Sequence, residues 1–382
     1  MNIGIYTLFL TPGQIGGIET YLRELITHIG QADHQNQYTL FISEHNQYIF
    51  TDLACPNYSK TNILLLPPAP SLFDRIRRKL KLTPSFATQQ LDRHSVDLLH
   101  YPGTTIDQLD VKTACVVTMH DLQHEYFPQF FPKRELVRRK STYLPSAKKA
   151  RHIITVSEFT RQSIIQKYNI SPEKITVIHH GISPNFQPIE DEQVKVAIRQ
   201  KYHLPDQFVF YPANPWPHKN HARLFEAIRL LRHQYGLTVH LVLSGIWSNP
   251  EYLKQQIHQS GVTDQVHLLG YLPYEDLPAL YNAATALVFP SLFEGFGLPV
   301  LEAMACGCPV ICSNTTSLPE LAGDAAVLVD PTDVAQIAES IYTLLQDRSL
   351  QKSLRTKGSL QVQKFSWERA ARETVNIYES VL

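Results

Sequence analysis

Short runs rich in β-branched residues and leucine alternate along this chain with segments whose apolar positions recur at helical spacing. The first series of predicted strands is Ile3–Leu8, Tyr38–Ser43, Asn62–Leu66, Leu98–Tyr101, Ala114–Met119, His152–Val156 and Ile175–Ile178. A second series follows at Phe208–Tyr211, Val239–Leu243, Val266–Leu269, Ala286–Phe289 and Pro309–Cys312. Helical patterns lie between them, among them Glu19–Ile29, Glu158–Lys167, Ala222–Gln234 and Pro278–Ala283. Near-continuous apolar strands alternating with helices predict α/β architecture, with parallel sheets covered on both faces. Twelve strands are many for one sheet, and Ser183–Asp191, with two prolines and an acidic run, separates the two series. Two doubly wound domains are therefore expected, residues 1–184 and 185–365. A final helix, about Ser366–Leu382, is placed to pack back on the first domain. Two such domains facing each other would leave a cleft at the carboxyl ends of their strands, where ligands bind.

Composition narrows the classes. The chain of 382 residues is long enough for two cores, and 43% hydrophobic with 18% charged residues describes a globular protein. The formal net charge is zero, which argues against a dedicated nucleic-acid binder. Five cysteines, three of them crowded at Cys306, Cys308 and Cys312, give no disulfide framework and suit a reducing compartment. Their spacing fits small buried residues at a helix end better than zinc ligands. No stretch approaches the ~20 apolar residues needed to span a bilayer. The N-terminus MNIGIYTLFL lacks a basic n-region, so it reads as a first strand and a cytoplasmic location is expected.

The densest chemistry lies in Val288–Ser313, VFPSLFEGFGLPVLEAMACGCPVICS. A strand end leads into a loop in which Gly295 and Gly297 permit close backbone approach to a ligand. Pro299 stands at the expected first helical position and Gly307 at the expected stop. A helix opening straight after a glycine loop aims its amides at an anion such as a diphosphate. Glu294 precedes the loop and Glu302 lies about one turn into the helix. Carboxylates beside an anion site make sense when they accept from hydroxyls, which points to a nucleotide sugar. The plainer alternative is a pair of surface carboxylates favoured by the helix dipole.

Other candidates also follow strands. Gly13-Gln14-Ile15-Gly16-Gly17-Ile18-Glu19 opens a helix after the first strand; it is either a phosphate or sugar loop, or a tight turn. It is not a dinucleotide fingerprint. His120-Asp121 ends another strand, where the imidazole can reach a sugar hydroxyl or cap the next helix. In Asn214-Pro-Trp-Pro-His-Lys219-Asn220, Lys219 opens a helix and opposes its dipole unless an anion offsets it, making it a diphosphate ligand or a solvated lysine. The chain has no Asp-x-Asp, HExxH or GxSxG motif, so metal-independent chemistry is expected.

Glu294-x7-Glu302 and its setting resemble the EX7E signature of the family 4 retaining glycosyltransferases (group 1) of the GT-B fold. The resemblance extends through Gly16-Gly17-Ile18-Glu19, His120-Asp121, Ile154–Arg161, His180-Gly181-Ile182, Lys219-Asn220, Gly270-Tyr271-Leu272 and Leu318-Pro319-Glu320. It implies transfer of a hexose, with a lean toward mannose, from a GDP- or UDP-sugar to a glycan or lipid-linked acceptor, with no metal or other cofactor. It implies catalytic roles for His120, Lys219 and Glu294. Donor-binding roles would fall to Gly16, Gly17, Asn214, Lys219, Tyr271, Glu294, Gly295, Phe296, Gly297, Leu298 and Glu302. An arginine common a few residues before the lysine is missing here, where the segment reads Ala213-Asn214-Pro215. A nucleotide-sugar 2-epimerase or a non-catalytic nucleotide-sugar sensor would use the same fold. Two basic segments, Phe73–Leu82 and Lys133–Arg151, suggest either peripheral contact with the inner face of the cytoplasmic membrane or merely solvated helix faces.

Overall fold

The computed structural model describes residues 1–11, 16–50, 55–64, 85–247 and 249–382. Gly13, Gln14, Ile15, the end of the third predicted strand and the basic segment Phe73–Leu82 lie outside the described residues. The chain divides into two compact units, Met1–Gly181 with Ser366–Leu382, and Ile182–Phe365.

In the first unit seven parallel strands are β1 (Asn2–Tyr6), β2 (Gln37–Ile42), β3 (Tyr58–Asn62), β4 (Leu98–Tyr101), β5 (Ala114–Met119), β6 (His152–Thr155) and β7 (Ile175–Val177). They run in the order β3-β2-β1-β4-β5-β6-β7. The second unit has β8 (Val209–Pro212), β9 (Leu241–Ser244), β10 (Val266–Leu268), β11 (Ala286–Phe289), β12 (Val310–Ser313) and β13 (Ala326–Val329), in the order β10-β9-β8-β11-β12-β13. Central strands such as β4, β9, β11 and β12 are buried along their whole length, as sheets covered on both faces require. Each sheet reverses its strand order once, between β1 and β4 and between β8 and β11. Connections leave such a point in opposite directions, which opens a crevice at the strands' carboxyl ends.

Three readings of the sequence need correction. The third strand lies at Tyr58–Asn62, four residues before the expected start, because the polar run YSKTN takes the edge register beside Tyr38–Ile42. An edge strand needs less apolar surface than a central one, so the polar run gives little apolar signal of its own. The strand β13 was missed: four residues, only partly buried, give almost no periodic signal. The helix after the glycine loop starts at Leu298, which puts Pro299 in its second position, where the missing N–H still costs nothing.

The helix Trp367–Ser380 belongs to the first unit, packed on the helix Gly17–Ala32. Tyr378 is fully buried, with its hydroxyl 2.7 Å from Nδ1 of His100. The chain of hydrogen bonds continues from His100 Nε2 to Thr118 Oγ1 (2.8 Å) and from Thr118 to the Tyr21 hydroxyl (2.9 Å). Burial pushes His100 down to about 3, so the ring is neutral and bonds with one nitrogen donating and the other accepting. Tyr378→Phe leaves Nδ1 of His100 buried without its partner; a loss of about 1–3 kcal/mol is expected in denaturant unfolding. Tyr378→Ala, which adds a cavity, should cost about 3–5 kcal/mol.

Candidate functional site

In the second unit the loops after β8 and β11 meet at the strand-order reversal. Asn220 holds them together. Its backbone is left-handed (φ 62°), and its amide nitrogen donates to the carbonyls of Pro290 (2.9 Å) and Pro331 (2.7 Å). The Tyr211 hydroxyl donates to the Lys219 carbonyl at 2.6 Å, and the Leu292 amide donates to the His218 carbonyl at 2.7 Å. These bonds bring Lys219 Nζ to 2.6 Å from Glu294 Oε1, with the two side chains only 15% and 12% exposed. Lys219 closes a short 3-10 turn, Pro217–Lys219, and does not itself open the next helix, which Asn220 caps. The anion that offsets Lys219 in this structure is Glu294. The neighbouring imidazoles are neutral: burial, and then the Lys219 charge, push His218 down to about 2 and His221 to about 4.

Asn214 ties the β8 loop to the β9 loop, its Oδ1 accepting from the Ile246 amide at 2.6 Å. That oxygen also lies 2.7 Å from where a Cβ on Gly245 would stand. Where the family arginine is missing, the arginine nearest along the sequence, Arg223, donates to Asn220 Oδ1 at 3.0 Å. Tyr271, after β10, is 68% exposed and follows Gly270 (φ 71°), whose carbonyl accepts from Gly245 N (2.9 Å).

The glycine loop is held from behind. Thr316 Oγ1 accepts from the Glu294 amide (3.1 Å), and the Ser317 hydroxyl is shared between the carbonyls of Glu294 (3.0 Å) and Phe296 (2.7 Å). Gly297 caps the helix Leu298–Ala305 at φ 116°, and a Cβ there would come within 2.7 Å of the Leu318 side chain. Only glycine meets both constraints. Gly295 is half-buried, and Phe296 packs edge-on against Phe365. Glu302 is buried, with Oε2 accepting from the Tyr281 hydroxyl at 2.7 Å. Burial pushes its carboxyl up to about 7, opposed only in part by that hydrogen bond. Tyr281 is in turn set among Phe186 and Phe210.

The first unit carries the remaining candidates. Gly16 caps the helix Gly17–Ala32 at φ 56° and both glycines are exposed. Glu19 in the first turn is paired with Arg23 at 2.9 Å. His120 follows β5, and its Nε2 lies 2.8 Å from the Pro102 carbonyl. A carbonyl only accepts, so Nε2 carries the proton; burial lowers the ring's pKa, which keeps it neutral with a lone pair on Nδ1. The helix that follows, Gln123–Tyr126, has no side-chain cap bond at Leu122, and Asp121 Oδ1 accepts from the Gln123 amide at 2.9 Å. Tyr21 braces His120 edge-on at 4.9 Å and is stacked on His180, which is stacked on Trp367.

Sequence reasoning missed the supporting residues: Tyr281 behind Glu302, Thr316 and Ser317 behind the glycine loop, Tyr211 behind Lys219, and Tyr21 beside His120; Asn220 stood in the Lys219 motif without its loop-fastening role. Tyr281 and Tyr21 stand at ordinary apolar helix positions, so nothing local separates them from core residues. Ser317 and Thr316 follow a strand end, which was the one available signal.

Residues 15–186 match the family described as Glycosyltransferase Family 4, and residues 194–361 match Glycosyl transferases group 1. The O-antigen chain mannosyltransferase B of Escherichia coli is 38% identical over 267 residues, 69% of this chain and 70% of that protein. The serotype-specific mannosyltransferase WbdA of the same organism is 32% identical over 288 residues, 72% of this chain; the match spans only 34% of that larger protein. Among solved structures, Anabaena Alr3699/HepE in complex with UDP and glucose has the same fold over 100% of both chains, with a TM-score of 0.78 and 20% identity. The lipopolysaccharide glycosyltransferase WaaG covers 99% of each chain with a TM-score of 0.71 and 16% identity. With both sheets, both family matches and the O-antigen relative in agreement, the chain belongs to the family 4, group 1 glycosyltransferases and is a sugar-transferring enzyme of the GT-B fold.

Proposed function

We propose that this enzyme moves a hexose, most consistently mannose, from a GDP- or UDP-sugar to a glycan or lipid-linked acceptor, with retained anomeric configuration and without a metal. The observation that carries this reading is the Lys219–Glu294 pair at the strand-order reversal, next to a glycine loop that opens a helix. The mannosyl preference is drawn from the O-antigen mannosyltransferases it resembles. The nucleotide donor is suggested by the GT-B neighbour bound to UDP.

In this reading Lys219 and the amides at Phe296-Gly297-Leu298 hold the diphosphate, and Glu302 accepts from the ribose hydroxyls. Glu294 and His120 contact the transferred sugar, with Gly16-Gly17 near the donor phosphates; Asn214 shapes the adjoining loop and Tyr271 borders the nucleotide. A double displacement would need a carboxylate nucleophile at the anomeric carbon. We favour departure and attack on the same face. The bond from C1 to the phosphate oxygen breaks, the acceptor oxygen bonds to C1, and its proton passes to the leaving phosphate. Lys219 and the helix amides stabilise the charge that develops on that phosphate. An epimerase would convert the donor with no acceptor, and a sensor would bind it unchanged.

The membrane contact proposed for this enzyme rests on the helix Lys133–Lys149, where Lys133, Arg134, Val137 and Lys140 are exposed at spacings that share one side. Arg138 and Arg139 on the same helix are engaged by Glu135. No helix among the described residues is long and apolar enough to cross a membrane. Action at the cytoplasmic face of the membrane is the location that suits a lipid-linked acceptor.

Three outcomes are expected. Turnover of a nucleotide-sugar panel followed by mass spectrometry, with a membrane lipid extract as acceptor source, should survive EDTA and fall by about 10²–10³ in Lys219→Ala and Glu294→Ala. An epimer formed without extract would replace the transferase reading. For Glu302, whose carboxyl titrates near 7, only the ionised form is a full acceptor, so donor KM should fall as pH rises from 6 to 8 and stay flat in Glu302→Gln. Flotation with phosphatidylglycerol vesicles should show binding that disappears at high salt and weakens in Lys133→Glu/Lys140→Glu; binding to neutral vesicles alone would contradict it.

A further inference from the structure

We propose that Glu294 is an internal counter-anion that competes with the diphosphate for Lys219, so that the site favours the intact sugar donor over the spent nucleotide. This rests on the reading that Lys219 binds the donor diphosphate. The pair is short, 2.6 Å, and both side chains are mostly out of water. A partly desolvated ion pair is far harder to neglect than an exposed one. A diphosphate approaching Lys219 meets two alternatives. If Glu294 stays, carboxylate and phosphate repel each other across a few ångströms in a medium of low dielectric. If it swings aside, the pair is lost. Either way the carboxylate weakens anion binding.

The surroundings offer the diphosphate no substitute cation in the same turn. His218 and His221 flank Lys219 and are neutral, and Arg223 is engaged with Asn220. The Phe289 ring, 5.4 Å from the ammonium, covers it without adding an anion. Glu294 is also free to change partners without moving the loop. Its amide is held by Thr316 and its carbonyl by Ser317, so the exchange needs only side-chain rotation.

A displaced carboxylate needs new donors. The hydroxyls of the transferred sugar supply them; a nucleoside diphosphate that has lost its sugar lacks those donors, and its ribose hydroxyls are the ones assigned to Glu302. The intact donor therefore recovers what breaking the pair costs, and the product does not. On this account Glu294 sets the balance between holding substrate and releasing product.

The test is calorimetric titration of the full-length protein with GDP and with UDP, on wild type, Glu294→Gln, Glu294→Asp, Lys219→Met and the double variant Lys219→Met/Glu294→Gln. Glu294→Gln should bind the better nucleotide about tenfold more tightly than wild type. Glu294→Asp, with the charge drawn back by one methylene, should tighten it less, and it serves if the glutamine variant does not fold. Lys219→Met should weaken binding about tenfold, and in that background the gain from Glu294→Gln should vanish. Equal or weaker binding by Glu294→Gln, with Lys219→Met still impaired, would overturn the competition while leaving the site intact. Unchanged binding by Lys219→Met, or no binding of either nucleotide to wild type, would instead overturn the reading of the site, and the competition with it.

Discussion

An ammonium mostly out of water needs a counter-charge, and in this protein that need joins two loops 75 residues apart in sequence. Lys219 and Glu294 could not meet unless β8 and β11 were neighbours, although they are the first and fourth strands of the second series. The pair therefore depends on the strand order, and the Asn220 and Tyr211 bonds that fasten the loops serve to keep the two charges in register. The loops after β8 and β11 are fastened around that contact.

The two glutamates of the EX7E signature show how environment separates like side chains. Glu294 has a cation within hydrogen-bond reach and stands at the edge of the loop. Glu302, eight residues on, has a phenol as its partner and is buried, so its carboxyl is held near neutrality. One is a charge partner. The other is a hydrogen-bonding group poised between its two forms. The same logic applies to the imidazoles: His100, His120, His218 and His221 are all driven neutral by burial, leaving them as directional hydrogen-bonding or packing groups.

The first unit reaches its order by a different device. Its final helix comes from the far end of the chain, and it closes a stack of Trp367, His180 and Tyr21 behind His120. The buried line from Tyr378 through His100 and Thr118 to Tyr21 reinforces that stack with hydrogen bonds. The histidine's orientation is thus set jointly by the Pro102 carbonyl and by residues more than 200 positions away in the chain.

By itself the sequence determined the class of fold and the places where chemistry would be found. Apolar runs buried on both sheet faces are locally encoded, and so are glycines needed at positive φ, as at Gly297. The edge strands β3 and β13 were misread or missed because weak burial leaves little apolar pattern to read. The family signature fixed Glu294 and Glu302 as a pair by spacing alone. Only the tertiary structure decided that Glu294 pairs with Lys219, that Tyr281 holds Glu302, and that Tyr21 braces His120. Those partners come from separate strands and helices, and which loops share a sheet edge is a property of the strand order, which no local stretch of residues carries.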